Sequence, residues 1–244
     1  MCSQVNAEGL YSFEIGATME IKWYGLGCFR LSDDGLPPVV LDPFNETETG
    51  LSLPKARAGI VISSHLIDEP ERVEWTNLRP VTRTIAGPGE YEIGGVFITG
   101  VASTRERSGN KKKAKKSGDQ EALVNIIYTV DMQGVSVAHL GEIGRAPTQA
   151  EVEALGRVNV LLVPVGVPGG MTPAKASEAV SLIEPDVVIP MHYQTPGLKL
   201  QRKPVDGFLK EMGLGQSKPL DKLRLSARSI PEDLQIVLLE PQYP

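Results

Sequence analysis

Each of the three histidines in this 244-residue chain stands at the end of an apolar, strand-like run. The runs are Ile60-Val61-Ile62-Ser63-Ser64-His65, Val135-Ser136-Val137-Ala138-His139 and Val187-Val188-Ile189-Pro190-Met191-His192. A buried strand that ends on an imidazole delivers it to a sheet edge, where several such groups can converge as metal ligands or proton carriers. One such histidine alone reads most simply as a hydrogen-bonded packing residue. Three in equivalent positions constrain the chain to a sheet-based fold with a polar edge.

The rest of the pattern agrees. Met19-Glu20-Ile21-Lys22-Trp23-Tyr24 alternates, and Asp33-Asp34-Gly35 marks a hairpin turn leading to Pro38-Val39-Val40-Leu41-Asp42, which puts Asp42 on the rim. Short runs with β-branched residues, bounded by Gly, Pro or Asp, predict further strands at 59–63, 81–85, 95–100, 125–130, 135–139, 158–163, 187–190 and 234–239. Helix start signals are fewer. Thr172-Pro173 predicts a capped helix that stops at Glu184-Pro185, Pro147-Thr148 opens another carrying Val152 and Leu155, and Val205, Phe208, Leu209 and Met212 mark a third ending at Gly213. Hairpins first and βα units later predict one mixed α/β domain over 19–244, with residues 1–18 as an extension.

Acidic residues outnumber basic ones by 30 to 25, and the net charge of −5 argues against a general nucleic-acid binder. The basic run Lys111-Lys112-Lys113-Ala114-Lys115-Lys116 lies within 104–120, which reads as a solvated flexible loop, with a tether for an anion or nucleic acid as the alternative. Cys2 and Cys28 have no metal-type or disulfide-framework spacing, and no apolar run approaches the eighteen or so residues that span a bilayer. The expectation is a soluble cytoplasmic protein with no membrane partner.

Seven stretches follow one another in order: Met19 to Gly25 with Cys28-Phe29-Arg30, Leu41 to Phe44, Val61 to His65, Gly87-Pro88-Gly89-Glu90-Tyr91-Glu92-Ile93, His139-Leu140-Gly141-Glu142, Leu161 to Gly166, and Ile189 to Tyr193. As an ordered set they resemble the metallo-β-lactamase superfamily, in particular its small zinc-dependent hydrolases of the L-ascorbate-6-phosphate lactonase type. The resemblance implies a four-layer αβ/βα sandwich: two mixed β-sheets face to face, helices outside, and a cleft at one edge holding one or two divalent ions, zinc foremost. It also implies hydrolysis of an ester, lactone or phosphodiester by a metal-bound hydroxide.

The ligand motifs that the resemblance implies are largely lost. Aligned on His65, the family's His-x-His-x-Asp-His becomes His65, Ile67, Glu69 and Pro70, and Leu26 stands where a rim histidine is frequent. The next ligand histidine falls on Arg105, which stays protonated and does not coordinate zinc. The bridging Asp is Glu142, whose carboxylate sits about one C–C bond, ~1.5 Å, further out. His192 matches the last ligand, while His139 and Asp42 correspond to residues beside the ligands.

His65, Glu142 and His192 are therefore the candidate metal ligands, and His139, Asp42, Arg105 and Glu69 the surrounding cleft residues; no catalytic residue is assigned. In the family the counterparts of His65 and His192 serve different ions about 3.5–4 Å apart, so the expected occupancy is one weak ion or none. An Arg105–Glu142 pair in place of a dication is the expected substitution. Three functions stay open: a weak single-metal hydrolase, a metal-free module binding a small anionic or ester-type molecule, and a nucleic-acid-processing protein, which the acidic charge disfavours.

Overall fold

The computed structural model describes residues 18–67, 75–105, 124–215 and 217–243. The 1–18 extension and the basic loop expected at 104–120 therefore lie almost wholly outside the described residues, as do Glu69 and Pro70. In chain order the first strands are β1 (Met19–Trp23), β2 (Phe29–Ser32), β3 (Val39–Leu41), β4 (Ile60–Ile62) and β5 (Arg83–Ile85), with a short helix α1 (Glu46–Thr49) after β3. Then come β6 (Gly89–Ile93), β7 (Val96–Thr104), β8 (Val124–Met132), β9 (Val135–His139) and helix α2 (Gln149–Leu155). The chain closes with β10 (Val160–Pro164), α3 (Pro173–Ile183), β11 (Val187–Met191), α4 (Asp206–Glu211), β12 (Leu223–Leu225) and β13 (Gln235–Ile236).

These strands form two mixed sheets. The first runs β12-β1-β2-β3-β4-β5, antiparallel up to β3 and parallel beyond it. The second runs β13-β11-β10-β9-β8-β7-β6, parallel from β13 to β9 and antiparallel from there to β6. The period-two alternation of β1 buries Met19, Ile21 and Trp23 against the second sheet, while Glu20 and Lys22 face out. The parallel strands β10 and β11 read as unbroken apolar runs because helices cover their other face.

Helix starts follow the sequence signals. Thr148 caps α2 with a complete capping box: its hydroxyl accepts from the Glu151 backbone N–H, and the Glu151 side chain accepts from the Thr148 backbone N–H. Thr172 caps α3, which has proline in its first turn. Both helices, with α4, lie on the second sheet's side. The first sheet's outer face is different. Among the described residues it is covered by extended segments, with Leu53, Ala56, Trp75, Leu78 and Val81 packing on Tyr24, Cys28, Val40 and Val61.

The strand expected at 234–239 shrinks to two residues, and that at 95–100 lengthens to Thr104, because β8 pairs with it along its whole length. β6 and β12 carried too little β-branched signal to be read from sequence. Among the described residues no helix is long and apolar enough to cross a membrane.

Candidate functional site

Asp42 follows β3, His65 follows β4, His139 closes β9 and His192 follows β11, so one edge of the two sheets receives all four side chains. The turn after β3 puts Asp42 in the left-handed region at φ 41°. Its Oδ1 accepts from the Ser64 backbone N–H at 2.6 Å, and its Oδ2 accepts from the Ser64 hydroxyl at 2.6 Å. Burial opposes ionisation of Asp42, but His139, His65 and the Ser64 donors outweigh it and hold the carboxyl below its usual range.

That ionised carboxylate fixes the next group. Since the Ser64 hydroxyl proton goes to Asp42, the 3.1 Å contact between Ser64 Oγ and His65 Nδ1 has Nδ1–H as donor, leaving the His65 Nε2 lone pair unprotonated. Burial, partly opposed by Asp42, pushes the His65 pKa down. His139 is committed on both sides. Its Nε2–H donates to the Gly27 carbonyl at 2.8 Å, the Gly141 N–H donates to its Nδ1 at 3.1 Å, and Nε2 lies 3.7 Å from Asp42 Oδ2. The imidazole thus ties the two sheet edges together and has no nitrogen left for an ion.

Glu142 is presented by a tight turn. Gly141 has φ 63°, and a Cβ there would collide with Asn125 Oδ1 and Ser64. The buried Asn125 accepts from the Glu142 backbone N–H at 2.9 Å and donates to the Leu140 carbonyl at 3.0 Å, which locks the turn. The Glu142 carboxylate then meets two guanidiniums: Arg105 Nη2 stands 3.3 Å from Oε2, and Arg202 Nη2 stands 3.2 Å from Oε1. Burial raises the pKa of Glu142, but His192, Arg105 and Arg202 pull it down to about 2.

His192 is also left-handed, at φ 59°, with its N–H donating to the Leu26 carbonyl at 3.1 Å. Its ring lies so close to Gly27 that a Cβ there would fall 2.5 Å from Nε2. On the other side Nδ1 is 3.6 Å from Glu142 Oε1, beyond hydrogen-bonding distance, and neither buried ring nitrogen has a partner. Burial pushes the His192 pKa down to about 4 against the pull of Glu142, so the ring is neutral at pH 7.

The structure therefore brings together His65, Asp42, His139, Glu142, His192 and Arg105, while Glu69 lies outside the described residues. Among the described residues, no group of three or more His, Cys, Asp or Glu is arranged to hold a metal ion. Sequence reasoning missed Ser64, Asn125 and Arg202. The Ser64 signal was its place between β4 and His65; Arg202, in an irregular polar stretch, gave none.

Two mixed sheets face to face, flanking helices and polar residues gathered at one shared edge define the metallo-β-lactamase type of sandwich. The chain belongs to that superfamily: the family model described as the beta-lactamase superfamily domain matches residues 20–192. Among curated proteins it is 27% identical to a UPF0173 metal-dependent hydrolase of Methanopyrus kandleri, covering 91% of this chain and 97% of that one. A second UPF0173 metal-dependent hydrolase, from Archaeoglobus fulgidus, is also 27% identical over 91% of this chain and 96% of its own. Among solved structures, a Thermotoga maritima protein assigned to the Zn-dependent hydrolases of the metallo-beta-lactamase superfamily is 31% identical, with a TM-score of 0.67 over 91% of this chain and 99% of that one. The metallo-hydrolase Igni18 of Ignicoccus hospitalis shares the fold at 18% identity and a TM-score of 0.57, covering 86% of this chain and 99% of its own.

Proposed function

We propose that the cleft is the remnant of a two-metal site in which guanidinium groups stand in place of the dications, and that it binds a small anion without a metal. The observation that carries this reading is the seating of Glu142 between Arg105 at 3.3 Å and Arg202 at 3.2 Å. Relatives are named metal-dependent hydrolases, which implies a divalent cofactor in those proteins. The donor set here does not fit one. Each Glu142 oxygen already faces a fixed positive charge, and two guanidiniums repel a dication at the same carboxylate. Both His139 nitrogens and both Asp42 oxygens are engaged in hydrogen bonds. The guanidiniums of Arg105 and Arg202 bring charge-assisted N–H donors to this end of the cleft, the chemistry that recognises a small carboxylate, phosphate or sulfate.

A second reading rests on the orphaned His192 ring: one divalent ion held weakly by His65, Glu142 and His192, acting on an ester, lactone or phosphodiester. The 3.6 Å from His192 Nδ1 to Glu142 Oε1 is compatible with two donors on one ion at about 2.1 Å each, but both guanidiniums would have to swing away.

Elemental analysis after dialysis against zinc or manganese separates the two. The first reading expects metal far below one ion per chain and calorimetric binding of small anions that Arg105→Gln weakens. Near-stoichiometric metal would overturn it in favour of the second.

A further inference from the structure

The outer face of the first sheet carries two cavities that share a wall. One, of about 560 Å³, is lined by the cations Lys55, Arg57 and Arg79, with no acidic residue among the described residues. The other, of about 410 Å³, is lined by the rings of Phe44 and Trp75, with Asn45 and Glu46 beside them. Thr76 and Asn77 belong to both. The shared wall is held in place: Asn77 Nδ2 donates to the Leu53 carbonyl at 2.7 Å, the Ala56 N–H to the Asn77 carbonyl at 2.9 Å, and the Arg79 N–H to the Ala56 carbonyl at 3.1 Å.

Two further features mark this place as built for a ligand. Lys55, Arg57 and Arg79 are exposed, and among the described residues none of them is in an ion pair, so three like charges are gathered with no internal counter-charge. The Trp75 indole N–H is buried without an acceptor, an unusual state for a group that is normally hydrogen-bonded when buried.

We infer that these paired cavities bind a nucleoside phosphate, its phosphate among Lys55, Arg57 and Arg79 and its base against Trp75 and Phe44. Gathered cations supply charge-assisted donors to a phosphate. Aromatic faces hold a planar base by stacking, worth roughly 1–3 kcal/mol per base. Glu46 sets the direction, because its carboxylate repels the phosphate from the aromatic end and accepts from hydroxyl or exocyclic amine groups there. The ligand is a free nucleotide and not a strand. Beyond Arg57 the surface opens into a third cavity, of about 790 Å³, where Arg30 and Arg224 stand with Glu20, Asp33 and Asp34, so the purely cationic lining does not continue as a track for a longer phosphate chain. Its described lining contains none of the cleft residues Asp42, His65, Arg105, His139, Glu142, His192 and Arg202, and the same holds for the paired cavities.

The test uses the intact protein and the emission of Trp75, since Trp23 is fully buried in the core. Titration with AMP, GMP, CMP and UMP is compared with adenosine and with inorganic phosphate. At least one nucleotide should quench emission saturably, and adenosine and phosphate should each bind about tenfold or more weakly. The double variant Arg57→Ser/Arg79→Ser should weaken the nucleotide about tenfold with an unchanged melting curve, and Trp75→Phe should remove the signal while calorimetry still detects heat. Absence of a saturable response to all four nucleotides overturns the assignment. So does phosphate binding as tightly as the nucleotide, or indifference to the double variant. Affinity for oligonucleotides that rises with their length overturns the free-nucleotide part.

Discussion

Arg105 Nη2 lies 3.3 Å from Glu142 Oε2, with side-chain exposures of 17% and 15%, so this ion pair is mostly removed from water. Pairs of that kind stabilise little in total but are costly to break from one side, because the surviving charge keeps its desolvation penalty.

Glu142→Gln removes the one carboxylate between two guanidiniums. It should destabilise the protein by about 2–4 kcal/mol in urea unfolding. Arg105→Gln should cost clearly less, since Arg202 still faces Glu142 at 3.2 Å. Equal losses for the two variants would show that Arg202 does not compensate the carboxylate.

The same cluster fixes a pH dependence. His192 has its pKa lowered from 6.5 to about 4, so the unfolded chain binds a proton before the native one does. Its contribution is complete above pH 6.5 and is lost as pH falls towards 4. Glu142, lowered from 4.5 to about 2, contributes fully above pH 4.5 and loses its contribution as pH falls towards 2. The Tm should therefore decline in two consecutive steps below pH 6.5. His192→Asn, which tolerates the left-handed φ, should flatten the first step when each variant is referred to its own Tm at pH 8. A first step unchanged in that variant would assign it to another group.

The sheet edge was legible in the sequence because strands end where their apolar run ends, and His65, Asp42, His139 and His192 each stand at such an end. The pairing of Arg105 with Glu142 was legible only through family order, since residues 37 positions apart carry no local signal of contact. Arg202 was illegible. It reaches the cleft from an irregular segment anchored by backbone bonds, Lys203 N–H to the Gly166 carbonyl at 2.8 Å and Arg202 N–H to Gln194 Oε1 at 3.0 Å, and no periodicity encodes that path. The covering of the first sheet by extended segments was missed for a related reason. Leu53, Ala56, Trp75 and Leu78 are spaced irregularly, and their burial depends on contacts between distant segments.

Gly27 offers a test of how tightly His192 is held. The backbone of Gly27 has no left-handed strain to relieve, so the effect of Gly27→Ala comes from its methyl, placed 2.5 Å from His192 Nε2. The ring must move, and a shift of a buried side chain typically costs about 1–3 kcal/mol. His192→Ala in the same background should remove most of that cost, giving a strong coupling in a double-mutant cycle. Additive effects would place the ring's constraint elsewhere than at Gly27.

Ser64 joins Asp42 to His65, and its removal should be read on the imidazole. Ser64→Ala leaves Asp42 Oδ2 without its 2.6 Å hydroxyl donor and His65 Nδ1 without its 3.1 Å acceptor, two buried polar groups unpaired by one substitution. The expected destabilisation is about 2–3 kcal/mol. The more specific readout is the tautomer: in the wild type, nitrogen NMR should show His65 protonated at Nδ1 and bare at Nε2, and in Ser64→Ala the preference should weaken. Ser64→Thr keeps the hydroxyl and should restore the wild-type pattern. A His65 ring protonated at Nε2 in the wild type would contradict the hydrogen-bond direction that runs from His65 through Ser64 to Asp42.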